Sequence, residues 1–416
     1  MENLSDNLEN KEIIMAAITG EDKPGLTSRL AGIIAQYGAT ILDIGQADIH
    51  NSLSLGIMFI SDQSQSGNIL KEMLFSSSEM GVQVRFSPVS IAEYEKWVSM
   101  QGKNRYIVTL LGRKISAALI ADVSKVLAEQ SLNIDAITRL TGRIPLIDNG
   151  EQHLTRACVE MSVRGTPKDK SLLQSEFMRL SREQGSDISF QEDNLYRRNR
   201  RLICFDMDST LIQTEVIDEL AMRAGVGDQV KAITESAMRG EIDFCESFKR
   251  RVSLLKGLDE SVMKEIAENL PITEGAERTL KILKQYGYKI AILSGGFNYF
   301  GNYLKQKFNL DFVYANELEI VDGKLTGNYV GEIVDGKRKA ELLKLIAQIE
   351  NLNLQQVIAV GDGANDLPML NCAGLGIAFH AKPKVKENAK QSISSIGMDG
   401  VLYMLGFKDS YIEEKK

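Results

Sequence analysis

Two aspartates one residue apart, Asp206 and Asp208, open the segment Asp206-Met207-Asp208-Ser209-Thr210-Leu211 directly after the apolar run Leu202-Ile203-Cys204-Phe205. A short apolar run of this kind reads as a buried strand, and an amphipathic helical pattern follows it. Carboxylates at the carboxyl end of a parallel strand stand where open α/β sheets place their active sites. Alternation along a strand would send the two side chains to opposite faces, so a turn straight after Phe205 is needed to bring Asp208 into the same pocket. One carboxylate can then attack while the other handles a proton, and both can help hold a hard cation. Loops are rich in Asp and Thr, so a polar strand-to-helix turn with a Thr cap is the plain alternative for this segment alone.

The rest of the C-terminal half narrows the choice. Lys289-Ile290-Ala291-Ile292-Leu293 reads as a second strand, ending in Ser294-Gly295-Gly296. Gln356-Val357-Ile358-Ala359-Val360 reads as a third, ending in Gly361-Asp362-Gly363-Ala364-Asn365-Asp366. Between them a hairpin-like run precedes Lys339, which opens a helical stretch from Ala340 to Ile349. In order these are an Asp pair, a Ser, a Lys and a second Asp pair, three of them directly after apolar strands. This order resembles the haloacid dehalogenase superfamily of phosphatases.

The resemblance implies roles residue by residue. Asp206 would be the nucleophile that forms an aspartyl-phosphate. Asp208 would protonate the leaving alkoxide and then take the proton of the attacking water. Asp206, the backbone carbonyl of Asp208, and Asp362 would hold Mg2+, with Asp366 in support; such a cation offsets the repulsion between a carboxylate and a phosphate dianion. Ser294, the Gly295 amide and Lys339 would hold the transferring phosphoryl oxygens. Taken without the family, a Lys at a helix start is usually a solvated surface residue.

The insert between the first two motifs bears on substrate. From Glu215 to about Leu270 the chain reads helical, with Met238-Arg239-Gly240-Glu241-Ile242-Asp243-Phe244 and Ser247-Phe248-Lys249-Arg250-Arg251-Val252 inside it. This resembles the small helical cap of the phosphoserine phosphatase branch. That resemblance implies Glu215 on the substrate ammonium, Arg251 on its carboxylate, Phe244 closing over the pocket, and Asn365 as a polar contact near the phosphate. A zwitterion needs one anionic and one cationic partner, and Arg offers a fork that matches a carboxylate. An exposed Arg on a cap helix is the ordinary alternative for Arg251.

A chain of 416 residues allows two or three domains with ample core. A net charge of −7 argues against nucleic-acid or acidic-membrane partners. The basic run Arg197-Arg198-Asn199-Arg200-Arg201 reads as a charged linker rim, with only Tyr196 as an aromatic neighbour. No apolar run is long enough for a bilayer, and the polar start Met1 to Asn10 does not read as a signal peptide. Cys158, Cys204, Cys245 and Cys372 lie far apart, lack C-x-x-C spacing and suit buried thiols in a reducing cytoplasm better than disulfides. His50, His153 and His380 lie in unrelated segments and suggest no metal cluster.

The N-terminal half repeats itself. Ile13–Ile18 reads as a strand, Leu26–Tyr37 as a helix, Thr40–Ile49 and Ser52–Ile60 as strands, Gly67–Met80 as a helix and Val82–Val89 as a strand. The same order returns in Tyr106–Leu111, Ile115–Gln130, Leu132–Leu140, Thr155–Arg164, Lys168–Gln184 and Asp187–Gln191. A β-α-β-β-α-β unit in tandem predicts two ferredoxin-like modules. The stretch from Ser87 to Lys103, with Trp97, reads as the connector between modules, and Gln191 to Arg200 as the connector to the catalytic part.

The turn Asp22-Lys23-Pro24-Gly25 resembles that of the ACT family of amino-acid-binding regulatory modules. Pro and Gly permit a tight turn that leaves helix-start amides free for a ligand carboxylate. Asp22 and Gly25 are therefore expected to hold a regulatory ligand, with serine as the candidate effector. The second copy departs from the pattern, because Lys114-Ile115-Ser116-Ala117 stands where Asp, Pro and Gly would be needed; it is expected to serve packing or dimerisation.

The expected architecture is α/β. A Rossmann-like haloacid dehalogenase domain over 201–416 carries a small helical cap at about 215–271, preceded by ferredoxin-like (ACT) α+β domains at 11–90 and 104–192. The expected activity is magnesium-dependent hydrolysis of O-phosphoserine to serine, the last step of serine biosynthesis, in a cytoplasmic homodimer without nucleic-acid or membrane partners. The alternatives are a phosphatase or phosphotransferase on another small ester, such as phosphohomoserine or phosphothreonine, and a non-catalytic amino-acid sensor. The intact set Asp206, Asp208, Ser294, Lys339 and Asp362 argues against a vestigial site. A dehalogenase is disfavoured because halide displacement has no use for the proton Asp208 supplies.

Overall fold

The computed structural model describes residues 10–99, 102, 104–143 and 155–412; His153 and the polar start lie outside them. Two compact units divide the chain at 103/104.

The first unit holds strands β1 (Lys11–Glu21), β2 (Thr40–Ile49), β3 (Ser52–Asp62) and β4 (Gln83–Val89) with helices Leu26–Gln36 and Gln63–Glu79. The antiparallel sheet runs β2-β3-β1-β4. Alternate residues Leu53, Leu55, Ile57 and Phe59 of β3 are buried against Leu26, Leu30, Ile34, Ile69 and Met73 of the two helices. The stretch from Ser87 to Lys103, expected as a connector, contains a helix, Ile91–Ser99, after the last strand of this sheet. Its start is a capping box, with Ser90 Oγ accepting from Glu93 N at 3.2 Å and Glu93 Oε2 accepting from Ser90 N at 2.9 Å. The S-x-x-E signature and an apolar stripe of Ile91, Tyr94, Trp97 and Val98 are both present in the sequence, although no residue of this helix is buried.

The second unit begins with a module of the same order: β5 (Arg105–Gly112), β6 (Asn133–Arg139), β7 (Ala157–Arg164) and β8 (Asp187–Glu192), with helices Ala117–Glu129 and Lys170–Gln184. Its sheet runs β6-β7-β5-β8. One face packs on its own helices. Leu111, Leu140 and Cys158, from the other face and its rim, join the core of the α/β domain that follows. Asp187 Oδ2 accepts from Ser394 N, Ser395 N and Ser395 Oγ at 2.8, 2.8 and 2.6 Å. The basic run is a solvated rim only in part, with Arg198, Asn199 and Arg201 exposed. Arg197 is buried and pairs with Glu160 at 2.7 Å, and Arg200 is buried against Gln191 Oε1 at 3.1 Å. Burial and the neighbouring Arg197 push the Arg200 guanidinium down to about 10. Linker composition gave no hint of this, because the burial comes from two domains meeting.

The α/β domain is built on β9 (Leu202–Phe205), β10 (Lys289–Phe297), β11 (Phe312–Val321), β12 (Lys324–Val330), β13 (Val357–Gly361), β14 (Leu375–Phe379) and β15 (Gln391–Ile393). Its sheet runs β12-β11-β10-β9-β13-β14-β15, with the hairpin strand β12 antiparallel to β11 and the other pairs parallel. Every residue of β9, β13 and β14 is buried, as sheets covered on both faces require. Chain order reverses between β10 and β13 on either side of β9, which makes a crevice at their carboxyl ends. Four helices, Val216–Arg223, Gly227–Met238, Phe244–Ser253 and Ser261–Glu268, form the cap. The chain leaves and re-enters the core through paired segments, with Ile212 bridged to Ile272.

Candidate active site

The turn after β9 does what the aspartate spacing demanded. Asp206 N still bonds Val360 O of β13 at 2.9 Å, so Asp206 is fixed at the strand end. Asp208 then leaves helical geometry at ψ 137°, and Ser209 takes φ 55°. This left-handed step turns Asp208 back into the crevice, where Oδ1 accepts from Val216 N at 2.9 Å and Oδ2 from Ser294 Oγ at 3.4 Å. Thr210, buried, donates to Asp362 Oδ1 at 3.0 Å and so orients that carboxylate.

Lys339 lies in the first turn of helix Gly336–Ile349, whose start is capped by Asp335. It is fully buried, with Nζ 2.9 Å from Asp206 Oδ1 and 2.7 Å from Asp366 Oδ1. Burial opposes its charge, but Asp206 and Asp366 outweigh that cost and raise its pKa. Beyond β13, Gly361 leaves room for Asp366, whose Cγ would lie 2.5 Å from a Cβ there, and Gly363 N donates to Asp366 Oδ2 at 2.9 Å.

Asp206, Asp362 and Asp366 each offer a carboxylate oxygen, all within 4.8 Å of one another. Burial, then the charge of Asp366, drives Asp206 well above the usual carboxylate range despite Lys339. Burial and Asp366 bring Asp362 to about 7. Burial and Glu215 bring Asp208 to about 8. Among the described residues one lysine touches this cluster of three acids, and the cluster offers hard carboxylate oxygens. The residues therefore fit a divalent cation, which would let all three ionise together.

Across the crevice, Ser294, Gly295 and Gly296 form the bulged end of β10, with Gly296 N donating to Ser294 Oγ at 2.9 Å. Phe244 of the cap reaches down to Gly295, where a Cβ would lie 2.8 Å from Phe244 Cζ. Arg251, on the same cap helix, is half-buried, and Nε donates to its own helix at Ser247 O, 3.4 Å. Among the described residues it makes no ion pair, although the charges of Glu215, Asp218 and Asp208 act on it. Burial holds its pKa below the usual guanidinium value despite those acids. Glu215 accepts from Ser209 Oγ at 2.8 Å. Asn365 sits in the turn with Asp366, its Oδ1 against Gly363 and its backbone against Gly336.

The structure thus brings Asp206, Asp208, Glu215, Ser294, Gly295, Lys339, Asp362, Asn365 and Asp366 to one crevice under Phe244 and Arg251. Sequence reasoning missed Asp218, whose charge acts on Arg251, Thr210 as an orienting group, and Asn316, whose side-chain amide bonds Gly295 O and Val334 N. Asp218 was legible only as one of two acids on an amphipathic helix, and Asn316 only as a polar residue within a strand. Asp22 and Gly25 belong to the first unit. Gly25 has φ 92° at the start of helix Leu26–Gln36, and no side chain caps that helix. In the second module Ser116 Oγ fills the equivalent place by accepting from Leu119 N at 3.0 Å. The neighbouring Arg113 grips Glu274, on the chain's return from the cap, through two 2.7 Å bonds.

An aspartate pair on a parallel strand, facing a buried lysine and an acidic cluster, defines a haloacid dehalogenase-like hydrolase, and the profile of that family matches residues 200–374. The ACT domain profile matches residues 12–87. A phosphoserine phosphatase of Mycobacterium tuberculosis is 38% identical over 97% of this chain and 95% of its own. One of Streptomyces coelicolor is 37% identical over 96% and 93%. Among solved structures, a probable phosphoserine phosphatase from Vibrio cholerae superimposes with TM-score 0.57 at 36% identity, over 73% of this chain and 86% of that one. The chain belongs to the phosphoserine phosphatase family, hydrolases that use a divalent metal, and carries an N-terminal ACT domain. Among the described residues no helix is long and apolar enough to cross a membrane.

Proposed function

We propose that this chain hydrolyses O-phosphoserine to serine and phosphate, closing serine biosynthesis, with Asp206 as the nucleophile. The observation that carries the substrate assignment is Arg251, a half-buried cation without an ion pair among the described residues, in the field of Glu215 and above the Asp206–Asp208 pair. It suits a carboxylate, as Glu215 suits an ammonium and Phe244 the cover over both.

The residues divide the work by their environments. Lys339 and the Met207 N–H both engage Asp206 Oδ1, leaving Oδ2 for attack on phosphorus. The new bond joins Asp206 to the phosphoryl group, the ester P–O bond breaks, and the serine oxygen leaves with the proton of Asp208. A carboxyl at about 8 holds that proton at neutral pH, which a general acid must. Water then attacks the aspartyl-phosphate, giving its proton back to Asp208, and the bond to Asp206 breaks to release phosphate. Ser294 Oγ, the Gly295 amide and Lys339 hold the phosphoryl oxygens, with Asn365 beside them. Asp206, the Asp208 carbonyl and Asp362, with Asp366 in support, would hold magnesium, which would supply the positive charge that lets an anion approach a phosphate dianion.

We further propose domains at 11–90, 104–192 and 201–416 with a cap at about 215–271, a cytoplasmic homodimer, and serine as an effector at Asp22 and Gly25. The exposed turn and the uncapped helix start behind Gly25 support the last point. A panel of phosphoserine, phosphothreonine, phosphohomoserine and phosphoethanolamine, with and without magnesium, tests the main assignment. Phosphoserine should lead in kcat/KM, and activity should need the metal. A preference for another ester, or no release from any, overturns it.

A further inference from the structure

Strand β10 breaks its pairing with β11 at the phosphate-binding loop. Leu293 still pairs with Tyr314, but the next pair is Phe297 with Asn316, so Ser294, Gly295 and Gly296 stand opposite Ala315 alone. A bulge of this kind leaves backbone groups without ladder partners. The Gly295 carbonyl is met instead by the side chain of Asn316, whose Nδ2 donates to it at 2.8 Å. The other end of the same amide, Oδ1, accepts from Val334 N at 2.8 Å. Val334 directly precedes Asp335, the cap of the helix that carries Lys339. Asn316 is only 2% exposed, so neither bond has water as a substitute.

We infer that Asn316 is a positioning residue for phosphoryl transfer, its one side-chain amide tying the Ser294–Gly296 loop to the start of the Lys339 helix. The inference rests on reading the site as a phosphatase. Holding the Gly295 carbonyl fixes the peptide plane, which aims the Gly296 N–H the opposite way, at Ser294 Oγ 2.9 Å off. That hydroxyl lies 3.4 Å from Asp208 Oδ2, so the orientation passes on to the acid. The loop needs an external hold because both its glycines are dictated by crowding. A Cβ at Gly295 would come 2.8 Å from Phe244 Cζ, and one at Gly296 would overlap Asp208. Glycine is the residue least able to hold its own conformation.

The test compares Asn316→Asp, Asn316→Ala and Asn316→Ser in the full chain with magnesium. The Asp variant keeps an acceptor for Val334 but has no donor for Gly295, which separates the two bonds. All three should lower kcat on phosphoserine by about ten- to hundredfold while KM moves less than about threefold. Inhibition by metavanadate, which mimics the phosphoryl group in flight, should weaken in step with kcat. Magnesium half-saturation should stay, because no bond links Asn316 to Asp206, Asp362 or Asp366. A folded Asp variant with wild-type kcat overturns the inference, as do losses confined to KM. Should all three variants fail to fold, hydrogen exchange of the Gly296 amide in the wild-type protein decides: protection is expected, and free exchange refutes. A wild-type protein inactive on phosphoserine refutes the substrate reading instead; the same comparison is then made on the ester it does cleave.

Discussion

Replacing Arg251 by alanine isolates the contact that separates phosphoserine from simpler esters. The guanidinium lies in the cap, bonded among the described residues only to Ser247 O at 3.4 Å, and burial lowers its pKa even though Glu215, Asp218 and Asp208 favour its charge. A substrate carboxylate arriving there would gain charge-assisted hydrogen bonds in a desolvated place. Such bonds are worth about 1.5–3 kcal/mol, so Arg251→Ala should cost phosphoserine roughly 10- to 150-fold in kcat/KM. Phosphoethanolamine, which keeps the ammonium and lacks the carboxylate, should lose less than about threefold. Since no ion pair is broken among the described residues, folding stability should change little, and a melting curve checks that. Arg251→Lys should recover only part of the loss, because an ammonium lacks the planar fork. Steady-state kinetics on both esters, for wild type and variant, give the double difference directly. Equal losses on the two esters would refute the reasoning, making Arg251 a packing residue.

Asp206→Asn should keep the fold and abolish turnover, and repeated turnover of the wild type in heavy-oxygen water should place label in the Asp206 carboxylate; label in released phosphate alone points to direct attack by water. Asp206, Asp208 and Asp362 all have raised pKa values, the last two to about 8 and about 7, so the folded metal-free protein binds protons that the unfolded chain has released. Its stability should fall as pH rises from about 4 to about 8, and magnesium should raise Tm more at pH 8 than at pH 5; a metal increment independent of pH would contradict the carboxylate site. Serine should bind full-length Arg251→Ala protein by calorimetry and no longer bind when Asp22→Ala is added, and unchanged binding would remove the effector role from that turn. Reciprocity requires the same Asp22→Ala change to abolish any effect of serine on substrate-analogue affinity.

The catalytic motifs were legible because their signals are local. Apolar runs of four or five residues mark β9, β10 and β13, and the Asp, Ser and Gly residues after each mark where the strand gives way to a turn. The tandem modules were legible from a repeated order of alternating and helical patterns, down to element ends that differ by a few residues. The helix Gln63–Glu79 begins four residues before the expected Gly67, since its first turn is wholly polar and carries no periodic stripe. Helix Ile91–Ser99 lies in a segment read only as a connector, although its capping box and the spacing of Ile91, Tyr94 and Val98 were both in the sequence.

By itself the sequence determined which residue types stand at each strand end, and hence the carboxylate, hydroxyl and lysine chemistry the chain can offer. These depend on neighbours in the chain and on the strand-to-turn rule, both of which act over a few residues. Tertiary structure alone decided the fates of Arg197 and Arg200, buried between two domains although their composition reads as a solvated run. It alone put Thr210 on Asp362 and Asn316 between Gly295 and Val334. Those bonds span residues that become neighbours only through the strand order around β9 and the bulge in β10. Lys339 lies between the two kinds: its place at a helix start is written locally, but only the closing of β13 beside β9 surrounds it with Asp206 and Asp366 and makes a buried charge stable.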